Sequence, residues 1–271
     1  PIDGHDVGLL EDAFRVARDY PRPILLHIVT RKGRGYSPAE QDPERWHSTP
    51  PFVEEETAVV SPTASSWSET MGRILIRLAE RDDRIVALTA AMRGGTGLTE
   101  FARRFPDRFF DVGICESHAV VFAAALAAAG LRPFLPLYST FAQRAVDNLI
   151  HDVCLQNLPV VLLLDRAGIV GEDGPTHHGV FDIPLLGSVP NLTFAQPVDE
   201  AALAALMETA LRGEGPFAIR YPRGCAPRGE AGEGLPGPLV PGTAVEWRAG
   251  DQEIHFWALG DMIPLAMAAA E

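Results

Sequence analysis

Residues 159–164 read PVVLLL, an apolar run without alternation that closes on Asp165 and Arg166. A strand with one wet face alternates apolar and polar residues, whereas a strand that is apolar throughout must be covered on both faces. A parallel sheet between two layers of helices meets that demand, and the neighbouring segments supply the helices. WSETMGRILIRLAER precedes IVALTA, and RFFDVGI leads into ESHAVVFAAALAAAG. PFLPLYS is followed by TFAQRAVDNLIHDVCLQ, and DEAALAALMETALR precedes FAIRYP. Alternation of this kind predicts an α/β fold with a doubly wound, mainly parallel sheet over residues 66–224.

The flanks read as partial domains. Residues 1–50 contain an amphipathic helix pattern, VGLLEDAFRVARDY, then a strand pattern, ILLHIVT, then the glycine-punctuated loop RKGRGYSPAEQDPERWH. Residues 51–65 show no period and residues 225–245 are rich in Gly and Pro, so both read as linkers. Residues 246–271 read as the opening of a further α/β unit. The sequence starts inside a domain pattern and stops inside a helix pattern, as a portion of a longer protein would.

Charge and cysteine usage narrow the partners. A net charge of −13 argues against nucleic acid, although local arginines can still hold a small anion. The three cysteines are far apart and form no CxxC, which suggests reduced thiols and a cytoplasmic location. No apolar run approaches the ~20 residues of a membrane span, so no membrane partner is expected.

In open parallel sheets, ligands bind beyond the carboxyl ends of the strands. Glu116 follows RFFDVGI; Tyr138, Phe141 and Arg144 follow PFLPL; Arg166, Asp173, His177 and His178 lie in RAGIVGEDGPTHHG; Arg223 follows FAIRYP. The fold thus brings these side chains to one rim. Glu116 has two readings: a first-turn acid favoured by the helix dipole, or a carboxylate that bonds a heterocycle nitrogen in an apolar cleft. Asp147 and His151 are spaced to share a metal, but a hydrogen-bonded pair is the simpler reading and no metal is assigned. Cys115 reads as a small packing residue. GRGYSP and GGTG lack the features of a phosphate loop and read as turns.

Taken together, PIDGHD, HIVTRKGRGYSPAEQDP, TAAMRGGTGL, RFPDRFFDVGICESHA, YSTFAQRAVDNLIHDV, DRAGIVGEDGPTHHGVFDI and GPFAIRYPRG resemble the 1-deoxy-D-xylulose-5-phosphate synthases. These are thiamine-diphosphate enzymes of the transketolase superfamily. The resemblance implies condensation of pyruvate with D-glyceraldehyde 3-phosphate and loss of CO2, giving a precursor of isoprenoids, thiamine and pyridoxal. It implies thiamine diphosphate and Mg2+ as cofactors and a homodimer for the full-length protein. Glu116 would bond N1′ of the aminopyrimidine, Phe141 would line that ring and Tyr36 would border the cofactor. Arg166 and Arg223 would hold the phosphate of the aldehyde, while Tyr138, Arg144 and Asp173 shape the acceptor site. His177 and His47 would move protons or position pyruvate.

Two departures stand out. Cys115-Glu116-Ser117-His118 replaces the family's frequent Ala-Glu-Gln-His. The family's Gly-Asp-Gly motif, which with a later Asn holds Mg2+ and the diphosphate, does not occur, so the Mg2+ ligands are expected outside this sequence. Alternatives are a split subunit of the 2-oxo-acid dehydrogenase β type, against which GHD…KGRGY counts, and a non-catalytic fragment.

Overall fold

The computed structural model describes residues 1–43, 46–47, 65–227, 239–250 and 254–271. It resolves into two compact units, Pro1–Ser61 and Pro62–Glu271. The linker expected over 51–65 lies almost wholly outside the described residues, as does much of that over 225–245.

In the first unit, β1 (Ile2–Asp3) pairs in parallel with β2 (Ile28–Val29). The helix Val7–Asp19 connects them, and the Asp6 carboxylate caps its start by accepting from the Leu9 amide at 3.0 Å. ILLHIVT predicts a longer strand. Only Ile28 and Val29 lie opposite β1, so only they acquire ladder partners.

The second unit holds β3 (Ile85–Thr89), β4 (Phe109–Asp111), β5 (Arg132–Tyr138), β6 (Val161–Asp165), β7 (Thr193–Ala195) and β8 (Phe217–Arg220). All are parallel, in the order β4-β3-β5-β6-β8-β7. Successive residues of a strand face opposite layers. Val161 and Leu163 join Phe134 and Ile219 against helices Trp67–Ala79 and Glu200–Arg212. Leu162 and Leu164 join Leu135 and Leu137 against helix Glu116–Ala128 and Ala142–Cys154. The double coverage expected from PVVLLL is present, and every residue of β6 is buried.

Local signals place the first helix of this unit. Ser66 and Glu69 form a reciprocal cap: the Ser66 hydroxyl accepts from the Glu69 amide, and the Glu69 carboxylate accepts from the Ser66 amide. At the other extreme, TFAQRAVDNLIHDVCLQ does not form one helix. It passes from α (Ser139–Ala142) through 3-10 (Gln143–Ala145) and α (Val146–Asn148) to a π segment (Leu149–Cys154). The break falls where the Ser117 hydroxyl donates to the Arg144 carbonyl at 2.7 Å, engaging an acceptor of the helix ladder from outside it. No strand forms over the described residues 254–259; the 3-10 turn Gly260–Met262 and helix Ile263–Ala269 follow directly.

Candidate active site

Because the strands are parallel, Thr89, Asp111, Tyr138, Asp165 and Arg220 all end at one edge. The chain leaves β3 towards β4 on one side, whereas β5 continues towards β6 on the other. That reversal opens a crevice between the ends of β3 and β5.

Glu116 is the first residue of its helix and is 4% exposed. The approach to it is fixed from β4: the Asp111 carboxylate accepts from the Ala91 amide at 2.9 Å and from the Gly113 amide at 3.0 Å. Gly113 takes φ +73°, a left-handed conformation in which glycine lacks the steric cost of a side chain. Arg144 Nη1 donates to Glu116 Oε1 at 2.6 Å, the sole hydrogen bond to this carboxylate among the described residues. The dipole reading and the cleft reading of Glu116 are therefore compatible. The carboxylate begins a helix, is buried, and keeps its second oxygen uncommitted.

From Arg144 a continuous row of side chains crosses the crevice. Its guanidinium carbon lies 5.1 Å from the Phe141 ring centre. Phe141 stacks on Tyr138 at 5.5 Å and meets the His177 ring edge-on at 5.6 Å. The Arg166 guanidinium sits 3.9 Å above the Tyr138 ring. Arg166 Nε donates to Asp173 Oδ2 at 2.7 Å, and Arg223 Nε lies 3.3 Å from the same oxygen. Burial pushes the Tyr138 hydroxyl up to about 12, so it stays protonated.

The loop after β6 is tied down at both ends. Gly168 and Gly179 exchange amide-to-carbonyl bonds of 2.9 and 2.8 Å. The Thr140 hydroxyl donates to the Thr176 carbonyl at 3.1 Å, and Arg223 Nη1 donates to the Val170 carbonyl at 3.1 Å. Arg166 itself holds φ +58°, a conformation costly for a residue with a Cβ. The His178 ring faces inward, its Nδ1 accepting from the Val170 amide at 3.2 Å.

The rim thus brings together Glu116, Tyr138, Phe141, Arg144, Arg166, Asp173, His177 and Arg223. Tyr36 and His47 belong to the Pro1–Ser61 unit, where Tyr36 packs edge-on against Trp46 at 5.0 Å and His47 is exposed. Two expectations need correction. Cys115 is exposed, because the chain turns outward at the helix start, and so it is no packing residue. His151 bonds Asp152 at 3.0 Å rather than Asp147, since the irregular segment there abolishes regular i,i+4 spacing.

Sequence reasoning also missed a buried layer beneath the rim. The Ser68 hydroxyl donates to Asp165 Oδ2 at 2.6 Å, and burial raises the Asp165 carboxyl to about 6. Arg220 Nε donates to Asp182 Oδ2 at 2.9 Å, with both side chains almost fully enclosed. The only sequence signal was a charged residue ending each apolar run.

The transketolase pyrimidine-binding domain family matches residues 63–228. A 1-deoxy-D-xylulose-5-phosphate synthase of Aquifex aeolicus (strain VF5) is 55% identical over 227 residues, covering 83% of this chain and 36% of that protein. The synthase of Oleidesulfovibrio alaskensis is 51% identical over 275 residues, covering 100% of this chain and 43% of its own length. The chain therefore spans about two fifths of the length of these relatives. Among solved structures, a split-gene transketolase described as an inactive β4 tetramer aligns with TM-score 0.53 and 30% identity, over 68% of this chain and 57% of that one. A transketolase from Leishmania mexicana aligns with TM-score 0.55 and 20% identity, over 64% of this chain and 28% of that one, a likeness of fold.

Proposed function

The chain belongs to the transketolase pyrimidine-binding domain family, and on that premise we propose that it is the pyrimidine-side portion of a 1-deoxy-D-xylulose-5-phosphate synthase. The reaction joins pyruvate to D-glyceraldehyde 3-phosphate with loss of CO2. One observation carries the reading: a buried carboxylate, Glu116, with one oxygen on Arg144 and the other uncommitted, beside the aromatic shelf of Phe141 and Tyr138. A heterocycle with a basic ring nitrogen and two flat faces fits that arrangement, so these residues suit the aminopyrimidine of thiamine diphosphate. Bound there, the cofactor supplies a ring that stabilises negative charge on a substrate carbon.

The chain's own residues then divide the work. Glu116 holds a proton at N1′ of the aminopyrimidine, and its burial strengthens that bond by lowering the local dielectric. Phe141 supports the ring face. Arg166 and Arg223 offer guanidinium forks to the aldehyde phosphate, with Asp173 holding both in place. Tyr138 and Arg144 bound the acceptor space, and His177 moves a proton at the reacting oxygen. The loop from Arg166 to Gly179 excludes water.

Further parts of the reading rest on the sequence resemblance. Residues 1–50 are the end of the first, diphosphate-binding domain, with Tyr36 bordering the cofactor and His47 positioning pyruvate. Residues 66–224 are the central domain, and residues 246–271 begin the third. The family's Gly-Asp-Gly motif does not occur in this sequence, so Mg2+ is assigned to residues outside this chain. No described helix is long and apolar enough to cross a membrane. The full-length protein is a cytoplasmic homodimer without nucleic-acid or membrane partners. The match of relatives over the whole chain, residues 1–50 included, favours this reading over a separate β-type subunit.

The test uses the full-length protein containing this chain, supplied with pyruvate, D-glyceraldehyde 3-phosphate, thiamine diphosphate and Mg2+. Mass spectrometry should detect 1-deoxy-D-xylulose 5-phosphate. Pyruvate consumption without that product would replace the proposed acceptor.

A further inference from the structure

The opposite edge of the sheet, where the strands begin, carries a concentration of arginine that the rim chemistry does not use. Arg84 stands just before β3 and Arg132 opens β5, the neighbouring strand; the Arg132 amide donates to the Arg84 carbonyl at 2.8 Å. With Arg81, Arg212, Asp82 and Glu208 they line a depression of about 340 Å³.

The carboxylates there are already used. Glu208 takes Arg81 on one oxygen at 2.7 Å and Arg212 on the other at 2.9 Å. Asp82 takes Arg84 on both oxygens, at 3.0 and 2.7 Å. Arg132 has no ion pair among the described residues; its one side-chain hydrogen bond runs from Nη1 to the Gly213 carbonyl at 2.8 Å. Burial, and then the Arg84 charge, pull its guanidinium below the usual arginine range, while Asp82 and Glu214 oppose this only from a distance. Arginines at the ends of helices Trp67–Ala79 and Glu200–Arg212 answer the helix dipoles, which accounts for Arg81 and Arg212. It does not account for Arg84 beside a partly buried Arg132.

We propose that this edge is a second anion site, centred on Arg132, for a compact phosphate-bearing ligand of the diphosphate class. Arg132 keeps Nε and Nη2 for the anion, and the exposed guanidinium of Arg84 can swing from Asp82 to a phosphate. Fork geometry suits two oxygens of one phosphate, and a depression of about 340 Å³ leaves room for a second. The site stands apart from the rim and does not depend on the synthase reading. A free diphosphate and the diphosphate of an organic ligand share the chemistry that it recognises.

Titration calorimetry of the 271-residue chain tests it, with inorganic pyrophosphate as probe and ADP as the organic counterpart. Arg132→Gln and the exposed-site variant Arg84→Ala should each weaken pyrophosphate binding tenfold or more. Glu208→Gln, which releases two arginines and removes a negative charge, should tighten it. Arg223→Ala, at the other edge, should leave this binding intact. Pyrophosphate binding without ADP binding assigns the site to the free anion; binding of both, with the same response to Arg84→Ala, assigns it to organic diphosphates. Binding that is indifferent to Arg84→Ala and Glu208→Gln, or that vanishes in Arg223→Ala, would overturn the proposal, because the anion would then sit at the rim.

Discussion

Arg144 and Glu116 form an ion pair of 2.6 Å in which the carboxylate side chain is 5% exposed and the guanidinium side chain 58% exposed. The anion is fixed inside the crevice while its counter-ion stands at the mouth. The same arginine is held by its backbone, through the Ser117 hydroxyl on its carbonyl, so one turn of helix Glu116–Ala128 carries the carboxylate and also anchors its partner.

Removing either tie has a defined cost. Arg144→Ala should lower the unfolding free energy by about 1 kcal/mol, the modest value expected of a hydrogen-bonded pair with one exposed member. In a double-mutant cycle with Glu116→Gln the two losses should fall short of additivity by ~0.5 kcal/mol or more. Strict additivity in urea unfolding would mean that the pair is not coupled in solution.

Asp165 gives the protein a pH signature. Burial lifts its carboxyl from 3.8 to about 6, so the folded protein keeps a proton that the unfolded chain releases across that interval. The folded state binds more protons there, and stability falls as pH rises through the window. A displacement of about two units corresponds to about 3 kcal/mol. Asp165→Asn, which retains an acceptor for Ser68, should be more stable than the parent near pH 7, and the difference between the two should shrink as pH drops below 6. A constant difference across denaturation curves from pH 4 to 7 would remove Asp165 as the cause.

The arginine pair on Asp173 predicts a division between kinetic constants. In the full-length protein, Arg223→Ala should raise KM for D-glyceraldehyde 3-phosphate by about 10- to 100-fold, as loss of a charge-assisted hydrogen bond of about 1.5–3 kcal/mol implies. The KM for pyruvate should stay near the parent value. Steady-state kinetics with each substrate varied in turn decide it, and equal rises in both constants would contradict a phosphate clamp.

Gly179 closes the loop against Ser139, the residue that follows β5. A Cβ there would lie 2.5 Å from the Ser139 side chain and 2.6 Å from the Arg166 carbonyl, so the loop must lift to admit one. Gly179→Ala should therefore speed limited proteolysis between residues 166 and 183 while leaving the sheet folded. Unchanged cleavage would show that the loop is already loose at this point.

The parts of this arrangement legible in the sequence are those written in contiguous residues. PVVLLL announced a two-sided core, and the pattern WSETMGRILIRLAER marked the helix Trp67–Ala79. The short edge strand β7 passed unread because its three residues are only half-buried, so no apolar run signals it. The broken helix after Tyr138 depends on a hydroxyl 27 positions away, and the Arg220–Asp182 pair joins residues 38 apart. Pairings of that range are set by the topology of the sheet and leave no local pattern. Glu116 lay between the two cases: its place at a strand-helix junction was visible, while its burial against Arg144 needed the fold.

Proton–deuterium exchange at C2 of bound thiamine diphosphate tests, without requiring turnover, whether Glu116 activates the aminopyrimidine. In the full-length protein, Glu116→Gln should slow that exchange by about 10²- to 10⁴-fold, the usual contribution of a positioned acid–base group. Cofactor binding followed separately by calorimetry shows that the site is still filled. Exchange at the parent rate in a variant that still binds the cofactor would rule out that role for Glu116.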